Sequence, residues 1–178
     1  MKPFVFFFAL VFPFLSSRAT EPLSGSPGKP IARVAFAQYC FWTGEMKLGQ
    51  IEGVVRTEAG FFHGHEVTLV DYEAGRLSLE QLAEQAKRAG VTDRLHPGPG
   101  SGSSANSIGG VPVGVALDGS YRAAPTSDQK KQMQGTAFAR LDLTPEEATK
   151  VNAFVRSEPL KALESLAPAK RAKLAVAP

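Results

Sequence analysis

Ile31 to Gln38, IARVAFAQ, is almost continuously apolar, the pattern of a strand buried on both faces. It runs directly into YCFWTGEMKLGQ, where Phe41 to Gln50 reads as a short helix that Gly44 and Gly49 weaken. GVVRTEAGFF (Gly53 to Phe62) and EVTLVDY (Glu66 to Tyr72) read as two strands joined by His63-Gly64-His65. In the second strand, alternation assigns Glu66, Thr68, Val70 and Tyr72 to one face and Val67, Leu69 and Asp71 to the other. SLEQLAEQAKRAG carries the clearest helix signal. Ser78 and Gln81 form a capping box, Leu79, Leu82, Ala83 and Ala86 an apolar stripe, and Gly90 a stop.

HPGPGSGSSANSIGG (His96 to Gly110) reads as a long loop, which inside a domain is either functional or mobile. VPVGVAL (Val111 to Leu117) suits a further strand leading into DGSYR. In TPEEATKVNAFV, Thr144 and Glu147 provide a second capping box and Pro145 takes the first turn. The tail, residues 159–178, is rich in Ala and Lys and is expected to be partly helical at most and to fray. No internal repeat is visible. Strand, helix, two strands, helix and further elements predict an α+β domain, a two-layer sandwich with a mixed sheet and helices packed on one face.

The start of the chain changes this picture only at its edge. Lys2, the apolar run Phe4 to Leu15 and Ser17-Arg18-Ala19 have the layout of a secretory signal peptide, residues 1–19. The run is short for a membrane span, so no stable membrane association is expected after cleavage. Residues 20–30 form a Pro/Gly/Ser-rich lead-in, and residues 31–158 the domain. The expected location is outside the cytoplasm, periplasmic or extracellular. The net charge of +3 includes Lys2 and Arg18, and losing both leaves about +1. That balance gives no reason to expect nucleic acid as a partner.

Cysteine usage says more. Exported domains normally carry paired cysteines, whereas this chain has one, Cys40. It sits at the turn from a buried strand into a helix. The strand end would fix its position, and the free N–H groups of the helix start favour a thiolate. Phe41 and Trp42 beside it could line a pocket for a small apolar group such as a methyl. The alternatives are a buried cysteine acting as a small hydrophobe and two ordinary core aromatics. Spacing alone leaves these open.

YCFWTGE, followed by GVVRTEAGFF, HEVTLVDYEAGRLSLEQL and GSYRAAPTSDQKKQ, resembles the A-type peptide-methionine sulfoxide reductases. The family carries Gly-Cys-Phe-Trp with a glutamate soon after, then Gly-Tyr, then His-Ala-Glu opening a strand. An amphipathic helix and a Gln-Tyr-Arg-Ser stretch follow. The matching order runs from about Val34 to Gln132. The resemblance implies a ferredoxin-like core and reduction of methionine S-sulfoxide, free or in proteins, without a cofactor or metal. It implies Cys40 as the nucleophile and Glu66 as the acid on the sulfoxide oxygen. It further implies Tyr121 as a hydroxyl on that oxygen, and Phe41, Trp42 and Phe61 as substrate-binding positions. Glu45 matches a glutamate for which only a structural role is expected.

The chain also departs from the family pattern. Tyr39 replaces the glycine before the cysteine, and Phe61 replaces a tyrosine, removing one of two hydroxyls. Ala116 stands where an acid is expected, with Asp118 close but offset. Losing one preorganised donor costs roughly a hundredfold in rate. With no second cysteine, reduction of Cys40 would need an external thiol, such as a thioredoxin-like or glutaredoxin-like protein. Two rival readings follow from the same residues. One is a catalytically degenerate relative acting as a binding or interaction module. The other is a metal carrier using His63 and His65, although two ligands on a loop are usually only polar loop residues.

Overall fold

The computed structural model describes residues 30–100 and 103–176. The expected signal peptide and all of the lead-in except Pro30 lie outside the described residues. The chain order is β1 (Ile31–Ala37), α1 (Phe41–Gly49), β2 (Val54–Phe62), β3 (His65–Glu73), α2 (Leu79–Arg88) and β4 (Arg94–Pro97). Two short strands, β5 (Ser107–Ile108) and β6 (Val111–Pro112), pair with each other, and β7 (Arg122–Ala123) follows. Three 3-10 turns lead to α3 (Pro145–Phe154), α4 (Pro159–Glu164) and α5 (Pro168–Val176).

The main sheet has the order β4-β1-β3-β2-β7. Its first six elements, β-α-β-β-α-β with strand order 4-1-3-2, form a ferredoxin-like core within an α+β fold. Pairing within this sheet is antiparallel throughout rather than mixed. Parallel pairing is confined to one isolated bridge, Leu95 with Val113, among the described residues.

One sheet face carries Val34, Phe36, Val70 and Tyr72 and buries them with Leu48 of α1 and Leu82 of α2. Gly44 and Gly49, poor helix formers in isolation, belong in α1 because of this packing. A Cβ on Gly44 would overlap the Gln38 and Thr68 side chains, and one on Gly49 would crowd Thr149 and Ala153 of α3. Lys150 of α3 donates to the carbonyls of Gly49 (2.8 Å) and Ile51 (3.0 Å), closing the C-terminal end of α1. Burial pushes its pKa down to about 8.

The β2–β3 hairpin closes through His63 (φ 48) and Gly64 (φ 79), the two positive φ values that a type I′ turn requires. Its register pairs Phe61 with Glu66 and Gly60 with Val67. The opposite sheet face packs Ala35, Phe62, Val67 and Leu69 under Leu117.

Two differences from the sequence reading stand out. Of Val111 to Leu117, only Val111–Pro112 is strand, and it pairs with β5; Gly114 and Leu117 merely donate to the Leu95 and Pro97 carbonyls of β4. The segment 159–166 is not a frayed tail. Ala162 and Leu166 are buried against Val151 and Phe154 in a second apolar cluster.

Glu147 ties that cluster together. Its carboxylate accepts from Thr144 N–H in the capping box, from Ala167 N–H and from the Lys170 ammonium at 2.5 Å. Burial pushes its pKa up, but Lys170 and the two amides outweigh that and hold it at about 2. A depressed carboxylate stabilises the fold fully above its ordinary range near 4.5, and this stability is lost as pH falls toward 2. Glu147→Gln should therefore cost about 1–2 kcal/mol near neutrality through the lost ion pair with Lys170, since an amide oxygen can still accept from Thr144 N–H. Thermal unfolding followed across that acid range should show the variant's deficit shrinking as pH falls.

Candidate functional site

Cys40 is the N-cap residue of α1, with extended backbone angles (φ −143, ψ 108). It is a free, half-buried thiol whose side chain makes no capping hydrogen bond. A helix start leaves its first amides without carbonyl partners inside the helix. Here the first, Phe41 N–H, donates to Glu66 Oε2 at 2.9 Å. Glu66, half-buried near the start of β3, lies on the sheet face that α1 covers. The fold thus brings a thiol and a carboxylate, 26 positions apart in sequence, to the same helix start.

Aromatic rings surround this junction. Phe61, the cross-strand partner of Glu66, meets Phe41 edge-on with ring centres 5.5 Å apart. Phe41 in turn meets Trp42 edge-on at 5.8 Å. Phe41 is buried with Ala59 and Ala124, so it is the floor of the cluster. Trp42 and Phe61 are only partly buried and present the surfaces a ligand could touch. The Lys131 ammonium lies 4.7 Å from the centre of the Trp42 ring, a cation–π contact.

Tyr121 is not part of this constellation. Its hydroxyl donates to Glu58 Oε1 at 2.7 Å, and its ring lies across Gly60. A Cβ on Gly60 would come within 2.6 Å of that ring, so glycine is what admits it. Glu58 and Gly60 alternate with Ala59 and Phe61 along β2, which puts Tyr121 on the sheet face opposite Cys40 and Glu66. The expected pairing of Tyr121 with Glu66 on one oxygen is therefore corrected. Register at β7, where Ala123 opposes Gly60, carries the tyrosine to the other side. Burial pushes the Tyr121 hydroxyl pKa up, and the bond to Glu58 adds to this.

Asp118, the acid nearest to Ala116 in sequence, lies beside the hairpin turn. It is exposed, accepts from Ser120 N–H at 2.8 Å and lies 3.9 Å from His63 Nε2.

Glu45, matched only to a structural role, is fully buried in α1. It accepts from the Lys130 backbone N–H at 2.8 Å and pairs with the Lys130 ammonium. That ammonium also donates to the Thr57 carbonyl at 2.5 Å. Gln129 extends the clamp, exchanging bonds of 3.0 and 2.8 Å with the Ala59 amide and carbonyl. Together they fasten residues 124–131 beside β2 and hold Lys131 over Trp42. Glu45→Ala would leave a half-buried cation unpaired, so a loss of about 3 kcal/mol in stability is expected, read by denaturant unfolding.

Lys130, Gln129 and Glu58 were not singled out from the sequence. A carboxylate inside the apolar helix Phe41 to Gln50 was the one signal available, because a buried acid demands a cation. It does not say which cation. His63 and His65 are exposed at the hairpin turn, and among the described residues no group of three or more His, Cys, Asp or Glu is placed to hold a metal ion. No helix among the described residues is long and apolar enough to cross a membrane.

No protein-family model matches this chain, and no curated protein matches it.

Proposed function

We propose that the protein reduces methionine S-sulfoxide, free or in proteins, as an exported single-cysteine enzyme of the A-type peptide-methionine sulfoxide reductase kind. The observation that supports this most is the hydrogen bond from Phe41 N–H to Glu66, which holds an acid beside the N-cap thiol. In the proposed step the Cys40 sulfur attacks the sulfoxide sulfur. Glu66 protonates the oxygen of this S–S-bonded adduct, and as the S–S and S–O bonds to the methionine sulfur break the hydroxyl passes to the Cys40 sulfur, leaving a sulfenic acid, methionine and an ionised Glu66. Trp42 and Phe61 would hold the terminal methyl over the Phe41 floor. Two equivalents of external thiol then return Cys40 to the thiol, forming one disulfide and one water. A thioredoxin-like or glutaredoxin-like protein would supply them.

Phe61 lacks a hydroxyl, and Tyr121 faces away. Glu66 is thus the one matched oxygen-binding group at Cys40, which favours a slow enzyme. The same two observations favour a second reading, a relative that binds sulfoxides without converting them. Incubation with methionine S-sulfoxide and excess dithiothreitol separates the two. Multiple turnovers are expected; saturable binding with no methionine formed would replace the enzyme by the binding module.

A further inference from the structure

On the other face of the same hairpin lies a cavity of about 570 Å³ that the proposed reaction does not use. His63, His65, Arg94 and His96 line it, with Phe62 and Val115 as apolar wall. Adjacent residues serve the two sites by strand alternation. Phe61 and Glu66 face the thiol, while Phe62 and His65 face this cavity.

The polar groups here are predominantly cationic or able to become so. His96 is buried, and its Nδ1 lies 2.8 Å from the Val115 carbonyl, which can only accept. The proton therefore sits on Nδ1, leaving Nε2 without that bond. Burial lowers the His96 pKa, and Arg94, His63 and His65 each lower it further, so the four groups share one field. The acidic groups in reach are Asp93, which also lines the cavity, and Asp118 at 3.9 Å from His63. Phe62 is held edge-on by His63 (4.2 Å) and His96 (4.9 Å), so its ring forms a fixed apolar surface among them.

We propose that this cavity binds a small anion, a carboxylate or phosphate group, between Arg94, His63 and His65, with any apolar part of the ligand against Phe62 and Val115. Arg94 supplies the permanent charge and the fork of donors suited to either oxyanion. His63 and His65 add ring N–H donors from the hairpin turn beside it. This site is independent of the thiol chemistry. It assigns to His63 and His65 a ligand of opposite sign from a metal ion.

The test uses the full chain carrying Cys40→Ser, so that its outcome does not depend on the reductase reading. Imidazole C–H resonances of the three histidines are followed while inorganic phosphate or benzoate is added at constant pH. Saturating shifts of His63, His65 and His96 are expected. Arg94→Gln should weaken binding about tenfold or more, the worth of a charge-assisted hydrogen bond. His63→Ala, at an exposed turn, provides a second variant that should weaken binding severalfold. Phosphate alone saturating the site would assign a phosphate ester, and tighter benzoate binding a carboxylate with an apolar body. Absence of saturation by both anions would overturn the proposal, as would affinities indifferent to Arg94→Gln.

Discussion

Cys40→Ser is expected to abolish methionine formation from the S-sulfoxide, lowering the rate at least about 10⁴-fold with dithiothreitol in excess. Serine preserves the shape of the N-cap and places an oxygen where the sulfur was. What it removes is a polarizable nucleophile able to accept the sulfoxide oxygen and hand it on to a second thiol. Because the Cys40 side chain makes no capping bond, the replacement removes no native contact of that kind. Ser is a better N-cap than Cys, so stability should be unchanged or slightly raised. An unfolding midpoint at or above that of the parent, together with lost turnover, assigns the effect to chemistry. Undiminished turnover by Cys40→Ser would remove the thiol mechanism.

Glu66→Gln is expected to lower the rate about 10³-fold, within the range that general acids contribute. Glutamine keeps the side-chain length and a carbonyl oxygen that can still accept from Phe41 N–H, so the helix start is retained. It cannot give a proton to the departing oxygen. Neither Phe61 nor Tyr121 offers a hydroxyl on this face, so no neighbour among the matched residues shares the work. A residual effect of only a few fold would show that Glu66 holds the helix and does not act on the sulfoxide. Measuring kcat and KM separately sharpens the result, since a missing acid lowers kcat and leaves KM nearly unchanged.

The fold was legible where local rules and burial agree. The capping boxes at Ser78–Gln81 and Thr144–Glu147 both form, and the alternation read for Glu66 to Tyr72 gives the two faces observed. It was not legible where short edge segments depend on a neighbour. Arg94–Pro97 has two polar residues and a proline among four, yet becomes the edge strand because β1 offers it a partner. The C-terminal segment looks polar and alanine-rich. Ala162 and Leu166 are its anchors, and only the α3 surface beneath them shows why it docks.

The site was legible in the same uneven way. Cys40 at a strand end and Glu66 on the face of β3 toward the helix follow from element boundaries and period alone, and the structure brings them to one helix start. Tyr121 could not be placed by sequence, because a two-residue strand decides its face. One step of register separates a tyrosine aimed at Cys40 from one bonded to Glu58.

The central claim is that Cys40 takes the oxygen from a methionine S-sulfoxide. It is tested most directly by one addition of the sulfoxide without any reductant, followed by intact mass and by peptide mapping. The account predicts one methionine released per protein molecule and one added oxygen, located on Cys40. An unmodified Cys40 with no methionine released, or methionine released by the Cys40→Ser chain, would contradict it.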